Sequence, residues 1–412
     1  MVLLKNTGGV LLPATPKLTE LWCCPRCHSD LQQKEEELTC LDCANVYPVF
    51  DGIPDLRLPG ESWINYEEDR EQARRFIEET RGLALPDQIR WCFAAREGFT
   101  PEQIEVRVSQ VLSAVSHLTR QVDEWLGDCF TPGAVSLDLG CGPGQLIAAA
   151  AQRGHSMMGI DVRLLWLLAA KRVILAHGGQ PILAAALAEH MPLRSASVKA
   201  VVSLDVIEHV ADVAAYLAEI DRVTASGGTV ALSTPNRYSL AAEPHVGVWG
   251  VGWVPRRWQK QYVRWRKNVD YPYTCLLSVG EMHSLLREYT RLRPFMLVPQ
   301  VPDYEIRRFP SYRKILARVY NVAARVGALR LPLLAIGPFF RVVAVKTATS
   351  YAREVGKPPG EMNNLRPDGV PSNHPINHSI INTCNLSASN DNALYAPDIS
   401  ALTTQGKRGN RD

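Results

Sequence analysis

The sequence predicts an α/β protein built on a doubly wound parallel sheet, with a small metal-binding ribbon ahead of it. Three observations predict this. From 134 to 346, short β-branched runs alternate with helical stretches, the order of a parallel sheet with crossover helices. One of those strands runs straight into Gly140-Cys141-Gly142-Pro143-Gly144 and then into a helix. Upstream, Cys24-Pro25-Arg26-Cys27 and Cys40-Leu41-Asp42-Cys43 form two C-x-x-C knuckles separated by twelve residues.

The bulk numbers are compatible with this and exclude several classes. At 412 residues the chain exceeds one ordinary core, so two domains with appendages are expected. Charged residues make up 21% and hydrophobic ones 46%, as in a globular protein. A net charge of +3 is far below that of a dedicated nucleic-acid binder. No apolar run reaches the ~18 residues a membrane span needs; the nearest, 331–340, is bracketed by Arg330 and Arg341. The start, with Lys5 alone before a short apolar patch, is too weak for a secretory signal. Five of the ten cysteines crowd between Cys23 and Cys43, which favours one metal site in a reducing, cytoplasmic setting over a disulfide framework.

The elements follow in order. A ribbon is expected over 17–58, ending in the turn-rich Asp51-Gly52-Ile53-Pro54-Asp55, and a charged helical linker or cap over 61–130. The core domain is expected over 131–346, with strands at 135–139, 156–160, 181–185, 200–204, 229–233 and, last, 339–345. Helices are expected at 145–153 and 164–176. A basic, aromatic segment at 235–274 has no place in a minimal sheet and reads as an insertion above the strand ends, where ligands bind in such folds. The stretch 350–412, rich in Asn, Ser, Pro and Gly, is expected to be a disordered tail.

Glycines at 140, 142 and 144 let the backbone turn sharply and a ligand approach closely, while the following helix offers free N–H groups to a carboxylate. A dinucleotide loop would need glycine where Gln145 stands, so pyrophosphate is disfavoured. Asp161, about twenty residues on at the end of the next strand, is placed to accept both hydroxyls of a ribose.

These residues, together with Ser203-Leu204-Asp205-Val206-Ile207-Glu208-His209-Val210, Ser226-Gly227-Gly228 and Ser233-Thr234-Pro235-Asn236, resemble the class I methyltransferases of ubiquinone and menaquinone biosynthesis over roughly 130–240. The resemblance implies a Rossmann-like, seven-stranded sheet and S-adenosylmethionine as cofactor. It implies that Asp138, Gly140, Cys141, Gly142 and Gly144 hold the methionine end and Asp161 the ribose. The backbone near Ser203 and Leu204 should line the reacting centre. Two positions depart from the family pattern: Leu187 stands where an acidic residue usually meets the adenine amine, and Lys199 where an aspartate commonly opens a strand. Adenine recognition would then rest on backbone groups or on Glu189.

Two C-x-x-C knuckles can place the thiolates of Cys24, Cys27, Cys40 and Cys43 around a tetrahedral zinc. Cys23 and His28 are less regular substitutes. The segment from Tyr47 to Asp55 resembles the ribbon of the small zinc-binding activator subunit of tRNA and protein methyltransferases. A four-thiolate site is closed, so this zinc is structural.

A hydroxyl acceptor benefits from a general base, and His245 on the insertion and His209 at the mouth of the sheet are the candidates. Each has a plain alternative, as a loop residue and as a helix-start residue. Asp205, Glu208 and His209 could share one helical face and hold a divalent cation. On the insertion, Asn236, Trp249, Trp253 and Tyr273 are placed to cover an acceptor, with Arg256 and Arg257 to clamp an anionic group on it. The basic, aromatic run from Arg256 to Lys267 could stack bases or cap a lipid- or nucleotide-linked acceptor. A basic amphipathic helix around 313–326 could lie peripherally on an anionic bilayer, although packing on the sheet is the plainer expectation.

Methyl transfer to oxygen, or failing that to nitrogen or carbon, of a small-molecule, lipid- or sugar-linked acceptor is therefore expected. A second reading is an RNA methyltransferase using the ribbon as a nucleic-acid platform, against which stand Glu35, Glu36, Glu37 and Asp42. A third is a non-catalytic binding protein, motivated by Leu187 and Lys199. No segment points to an obligate protein partner.

Overall fold

The computed structural model describes residues 18–59, 64–96, 99–126, 134–271, 274–301 and 303–347. The expected tail at 350–412 lies outside the described residues.

A short helix, α1 (Leu18–Leu21), leads into a four-stranded antiparallel ribbon: β1 (Leu31–Lys34), β2 (Glu37–Cys40), β3 (Val46–Phe50) and β4 (Ile53–Pro54). The last hairpin closes through Asp51 and Gly52, both at positive φ, with Phe50 facing Ile53. An Asp-Gly pair supplies the left-handed conformations that a two-residue hairpin of this twist demands.

Helices α2 (Tyr66–Glu79), α3 (Leu85–Ala94) and α4 (Pro101–Leu126) follow. They are not a linker. Phe76, Ile89, Val111 and Val115 share one buried cluster with Leu146, Leu164 and Val173, so these helices form part of the layer covering one face of the sheet.

The sheet consists of β5 (Ser136–Leu139), β6 (Met157–Asp161), β7 (Leu183–Ala185), β8 (Val198–Leu204), β9 (Thr224–Pro235), β10 (Leu292–Leu297) and β11 (Phe339–Lys346), in the spatial order β10-β11-β9-β8-β5-β6-β7. β5 to β9 run parallel, and β11 inserts antiparallel between β9 and β10. Its helices are α5 (Gln145–Gln152), α6 (Leu164–Ala176), α7 (Val213–Val223), α8 (Arg256–Lys267), α9 (Val279–Tyr289), α10 (Asp303–Arg308), α11 (Ser311–Arg325) and α12 (Arg330–Ile336). The chain winds from β5 outward in both directions. The strand order thus reverses beside β5 and leaves a crevice at the carboxyl ends, where the glycine loop sits.

β10 is the strand absent from the sequence reading. Pro294 interrupts its pattern, and only an edge position tolerates a residue with no N–H to give the ladder.

The ribbon is joined to the sheet rather than tethered beside it. Asp55 forms a parallel bridge with Ala185 of β7, Leu56 N donates to Ala185 O at 2.7 Å, and Cys23 N donates to Pro192 O at 3.0 Å. Trp22, Leu38 and Tyr47 bury in the same cluster as Leu139, Met191 and Leu193.

Gly144, at φ 74°, starts α5 where a Cβ would stand 2.8 Å from the Cβ of Ala170 on α6. Its missing side chain therefore answers to helix packing. Gly144→Ala is expected to lower stability by about 1–3 kcal/mol through overpacking and positive φ. Urea denaturation measures this, and an unchanged midpoint would show that α6 can yield.

Candidate active site

A cleft opens over the carboxyl ends of β5 and β6, lined by Leu139, Gly140, Asp161, Val162, Arg163, Trp166, Leu187, Glu189, Val206, His209 and Val210. Gly140, Gly142 and Gly144 all adopt positive φ. The loop is pinned to the next strand, Gly140 N and Cys141 N donating to Ile160 O at 2.7 and 3.1 Å. A Cβ on Gly142 would meet nothing within 4 Å, so the space above the loop is open. Cys141, by contrast, is buried, its sulfur packed towards Gly159.

Asp161 closes β6 with one oxygen accepting from Gly142 N at 2.9 Å and the other from Arg163 N at 2.9 Å. It both lines the cleft and braces the glycine loop. Burial pushes its carboxyl up to about 6, opposed by those two backbone N–H groups. Burial pushes Asp138 further, to about 8, with the charge of Asp161 adding to it. Of the residues expected to hold a cofactor, Gly140 and Asp161 line this cleft, while Asp138, Cys141, Gly142, Gly144, Ser203 and Leu204 stand outside its lining. The side chain of Ser203 is committed elsewhere: its hydroxyl donates to Leu139 O at 2.8 Å and accepts from Tyr216 at 2.9 Å.

The two departures from the family pattern separate. Leu187 lines the cleft and supplies an apolar wall. Glu189 lines it too, and its Oε1 accepts from Ala211 N at 2.8 Å and Asp212 N at 3.4 Å. Lys199 sits near the start of β8, the end opposite the cleft, with Nζ on Ser226 O at 3.3 Å. Its identity does not bear on the cleft.

The two histidines meet. Their rings lie 4.7 Å apart, edge to face at 87°. His209 ends a short 3₁₀ turn, Ile207–His209, and lines the cleft; His245 comes from the insertion and stands against it. Nδ1 of His245 hydrogen-bonds Glu243 Oε1, while Glu243 Oε2 accepts from Val246 N at 2.8 Å. A carboxylate on Nδ1 keeps the proton there and leaves Nε2 as the basic nitrogen. Nε2 lies 4.0 Å from Glu208 Oε1, a buried atom without a hydrogen-bond partner among the described residues, while Thr234 donates to Glu208 Oε2 at 3.0 Å.

This cluster shares one proton economy. Burial pushes Glu208 up to about 8, with Asp205 adding and His245 opposing. For His245, burial pulls downward, but the hydrogen bond and charge of Glu243, with Glu208 and Asp205 behind it, raise it overall. Asp205, Glu208 and His209 do not share a helical face. Asp205 is left-handed at φ 57° and Ser233 donates to its Oδ1 at 3.1 Å; the donor atoms that converge within 4.8 Å are those of Glu208, His209 and His245. Glu243 escaped the sequence reading, although Glu243-Pro244-His245 was the available signal.

Much of the insertion does other work than expected. Asn236 is buried, its amide donating to Leu334 O and Ala335 O at 2.9 and 3.1 Å. Arg256 is spent on Glu281 at 2.9 Å and Leu276 O at 2.9 Å, and Arg257 lies over the Trp258 ring. Trp249 and Trp253 are exposed rather than turned onto an acceptor. Tyr273 lies outside the described residues.

In the ribbon, Cys24 Sγ lies 3.6 Å from Cys43 Sγ and Cys27 Sγ 3.4 Å from Cys40 Sγ, all four sulfurs being within 4.8 Å of one another. A tetrahedral zinc with Zn–S near ~2.3 Å needs S···S separations of about 3.8 Å, so these four residues fit the ion. Cys23 and His28 stand outside the set.

A buried ion-pair network, also unforeseen, ties this ribbon to the cleft. Arg57 donates to Asp55 at 2.7 Å, to Asp69 at 2.6 Å and to Val162 O at 2.9 Å, and Asp69 accepts from Leu164 N at 2.8 Å. Val162 is a cleft residue.

Two segments of the chain match known protein families. Residues 137–232 match the family model described as a methyltransferase domain, and residues 15–52 that of Trm112p-like protein. The chain is 39% identical over 109 residues to a ubiquinone biosynthesis O-methyltransferase of Pseudomonas paraeruginosa, covering 26% of this chain and 46% of that protein. A namesake from Idiomarina loihiensis is 34% identical over 134 residues, covering 30% and 52%. The chain thus spans about half the length of the curated relatives it matches. Among solved structures, geranyl diphosphate C-methyltransferase from Streptomyces coelicolor aligns with a TM-score of 0.38 at 17% identity, over 56% of this chain and 76% of that one.

Proposed function

We propose that this chain is an S-adenosylmethionine-dependent methyltransferase that methylates a hydroxyl of a small-molecule, lipid- or sugar-linked acceptor. The observation that carries the reading is the Glu243–His245 pair, set against His209 at the wall of the cleft. When bound, S-adenosylmethionine would supply an electrophilic methyl group, with the neutral thioether S-adenosylhomocysteine as the leaving group. Gly140 and the open space at Gly142 would admit its methionine end, Asp161 would receive its ribose, and Leu187 and Trp166 would give the adenine apolar walls. His245 Nε2 takes the proton of the acceptor hydroxyl as its oxygen attacks; Glu243 is the positioning residue that fixes the tautomer and stabilises the imidazolium.

An RNA acceptor is disfavoured because Glu35, Glu36, Glu37 and Asp42 are all exposed on the ribbon, an unhelpful surface for phosphates. Against a non-catalytic role stands the buried, carboxylate-oriented His245 beside the cleft, an arrangement of the kind that clusters at functional sites. Labelled methyl transfer into fractionated cell extract tests the acceptor class; counts entering RNA alone would reject the reading.

Asp161→Ala is expected to weaken S-adenosylmethionine binding at least about tenfold, since hydrogen bonds to a charged group contribute ~1.5–3 kcal/mol. Isothermal titration measures it. Undiminished affinity would remove Asp161 from the ribose site.

A further inference from the structure

Helix α11 turns its large apolar side chains away from the protein, and the start of α12 adds Leu331, while Leu334 of α12 is buried in the core. Tyr312 is 58% exposed, Ile315, Leu316 and Val322 63%, Val319 60% and, beyond the break, Leu331 77%. On α11 these residues recur three and four apart, which puts them on a single face. The opposite side does the docking: Ala317 is buried, and the Asn321 side chain exchanges two 2.8 Å hydrogen bonds with the backbone of Val301. The expectation that this helix packs its apolar face on the sheet is therefore overturned. A contiguous apolar face of this kind marks an interaction surface.

Its charge says what it meets. From 307 to 346 there is no acidic residue, while Arg313, Lys314, Arg318, Arg325 and Arg330 flank the apolar face. The bonds of Arg313, Arg325 and Arg330 go to uncharged oxygens of Tyr312, Gln300 and Met296. A second copy would oppose cations to cations. The segment 348–412, with six acidic and six basic residues, brings no compensating negative charge. Neither helix alone is long and apolar enough to cross a membrane; the pair together has the length and composition, but is bent by 105° at the break between them. An exposed indole adjoins them: Leu240 N donates to Ile336 O at 3.0 Å, and Trp249 Nε1 donates to Leu240 O at 3.1 Å. Indole rings favour the level of lipid headgroups.

We propose that the α11–α12 pair docks this protein on the surface of an anionic lipid bilayer. The face of Ile315, Leu316, Val319 and Val322 enters the acyl boundary, and the flanking cations meet the headgroups. The proposal is independent of the methyl-transfer reading and does not require turnover.

Co-sedimentation of the full-length protein with phosphatidylcholine vesicles, with and without phosphatidylglycerol, tests it. Affinity for the phosphatidylglycerol vesicles is expected to be at least about tenfold higher and to fall with added salt. The triple variant Leu316→Ser, Val319→Ser, Val322→Ser should lose about tenfold or more of that affinity, with an unchanged melting temperature because all three side chains are exposed. Absence of vesicle binding, or equal binding by the variant, would overturn the proposal. So would a dimer that the triple variant dissolves without any vesicle binding, which would give the face to a second copy.

Discussion

His245→Ala is expected to lower kcat/KM for the acceptor by about 10²–10⁴-fold, the range over which a positioned general base acts. Affinity for S-adenosylmethionine should stay nearly unchanged, because His209, not His245, forms the cleft wall. The pH profile supplies a second readout. The base must be neutral to accept a proton, and its neighbours raise His245 above the ordinary histidine value. Activity should therefore fall on acidification through an apparent pKa above about 6.5. Glu243→Gln removes the group that raises it, so the acid limb should move to lower pH while the maximal rate drops. A purely structural histidine would move stability and leave the limb in place. Equal kcat/KM for parent and His245→Ala would leave His209 as the candidate base.

Stripping the ribbon of zinc, or changing Cys24 or Cys40 to serine, is expected to disturb the cleft as well as the ribbon. Coupled zinc binding in small ribbons amounts to ~10–16 kcal/mol, as much as the ~5–15 kcal/mol by which a whole domain is stable. Trp22, Cys24, Leu38 and Cys40 lie in one cluster with Leu139, Ala186 and Met191, so their release opens the wall beside the cofactor cleft. Metal analysis should give one zinc per chain, and a chelator should reduce near-ultraviolet circular dichroism and cofactor affinity together. A chelated protein that still binds cofactor normally would show that the ribbon is energetically separate.

The legible parts of this molecule were those encoded locally. The glycine loop, the strand ends at Leu139 and Asp161, the helix Leu164–Ala176 and the cysteine knuckles all carry their signal within a few residues, where turn chemistry and hydrophobic period act. Position at an edge carries none, so Pro294 hid β10. Nothing local marks Arg57, because its two carboxylates, Asp55 and Asp69, come together only when the ribbon meets α2. The same limit applied to α11: its period was plain, but which side faces the sheet depends on Asn321 finding Val301. His209 and His245 were each visible, yet their meeting depends on how the insertion folds back over β9.

An open sheet is only as well behaved as its two outermost strands, since an unpaired edge is a template on which another chain can add. One edge here, β10, carries its own deterrents in Pro294 and the exposed Arg293. The other, β7, has the wholly buried sequence Leu183-Ala184-Ala185 and no charge of its own. What occupies it is the stretch leaving the ribbon, through the Asp55–Ala185 bridge and the bond from Leu56. The zinc-bearing segment therefore acts as a guard against intermolecular strand addition. A chain cut after the ribbon should be lost to aggregates before any defect in catalysis could be measured.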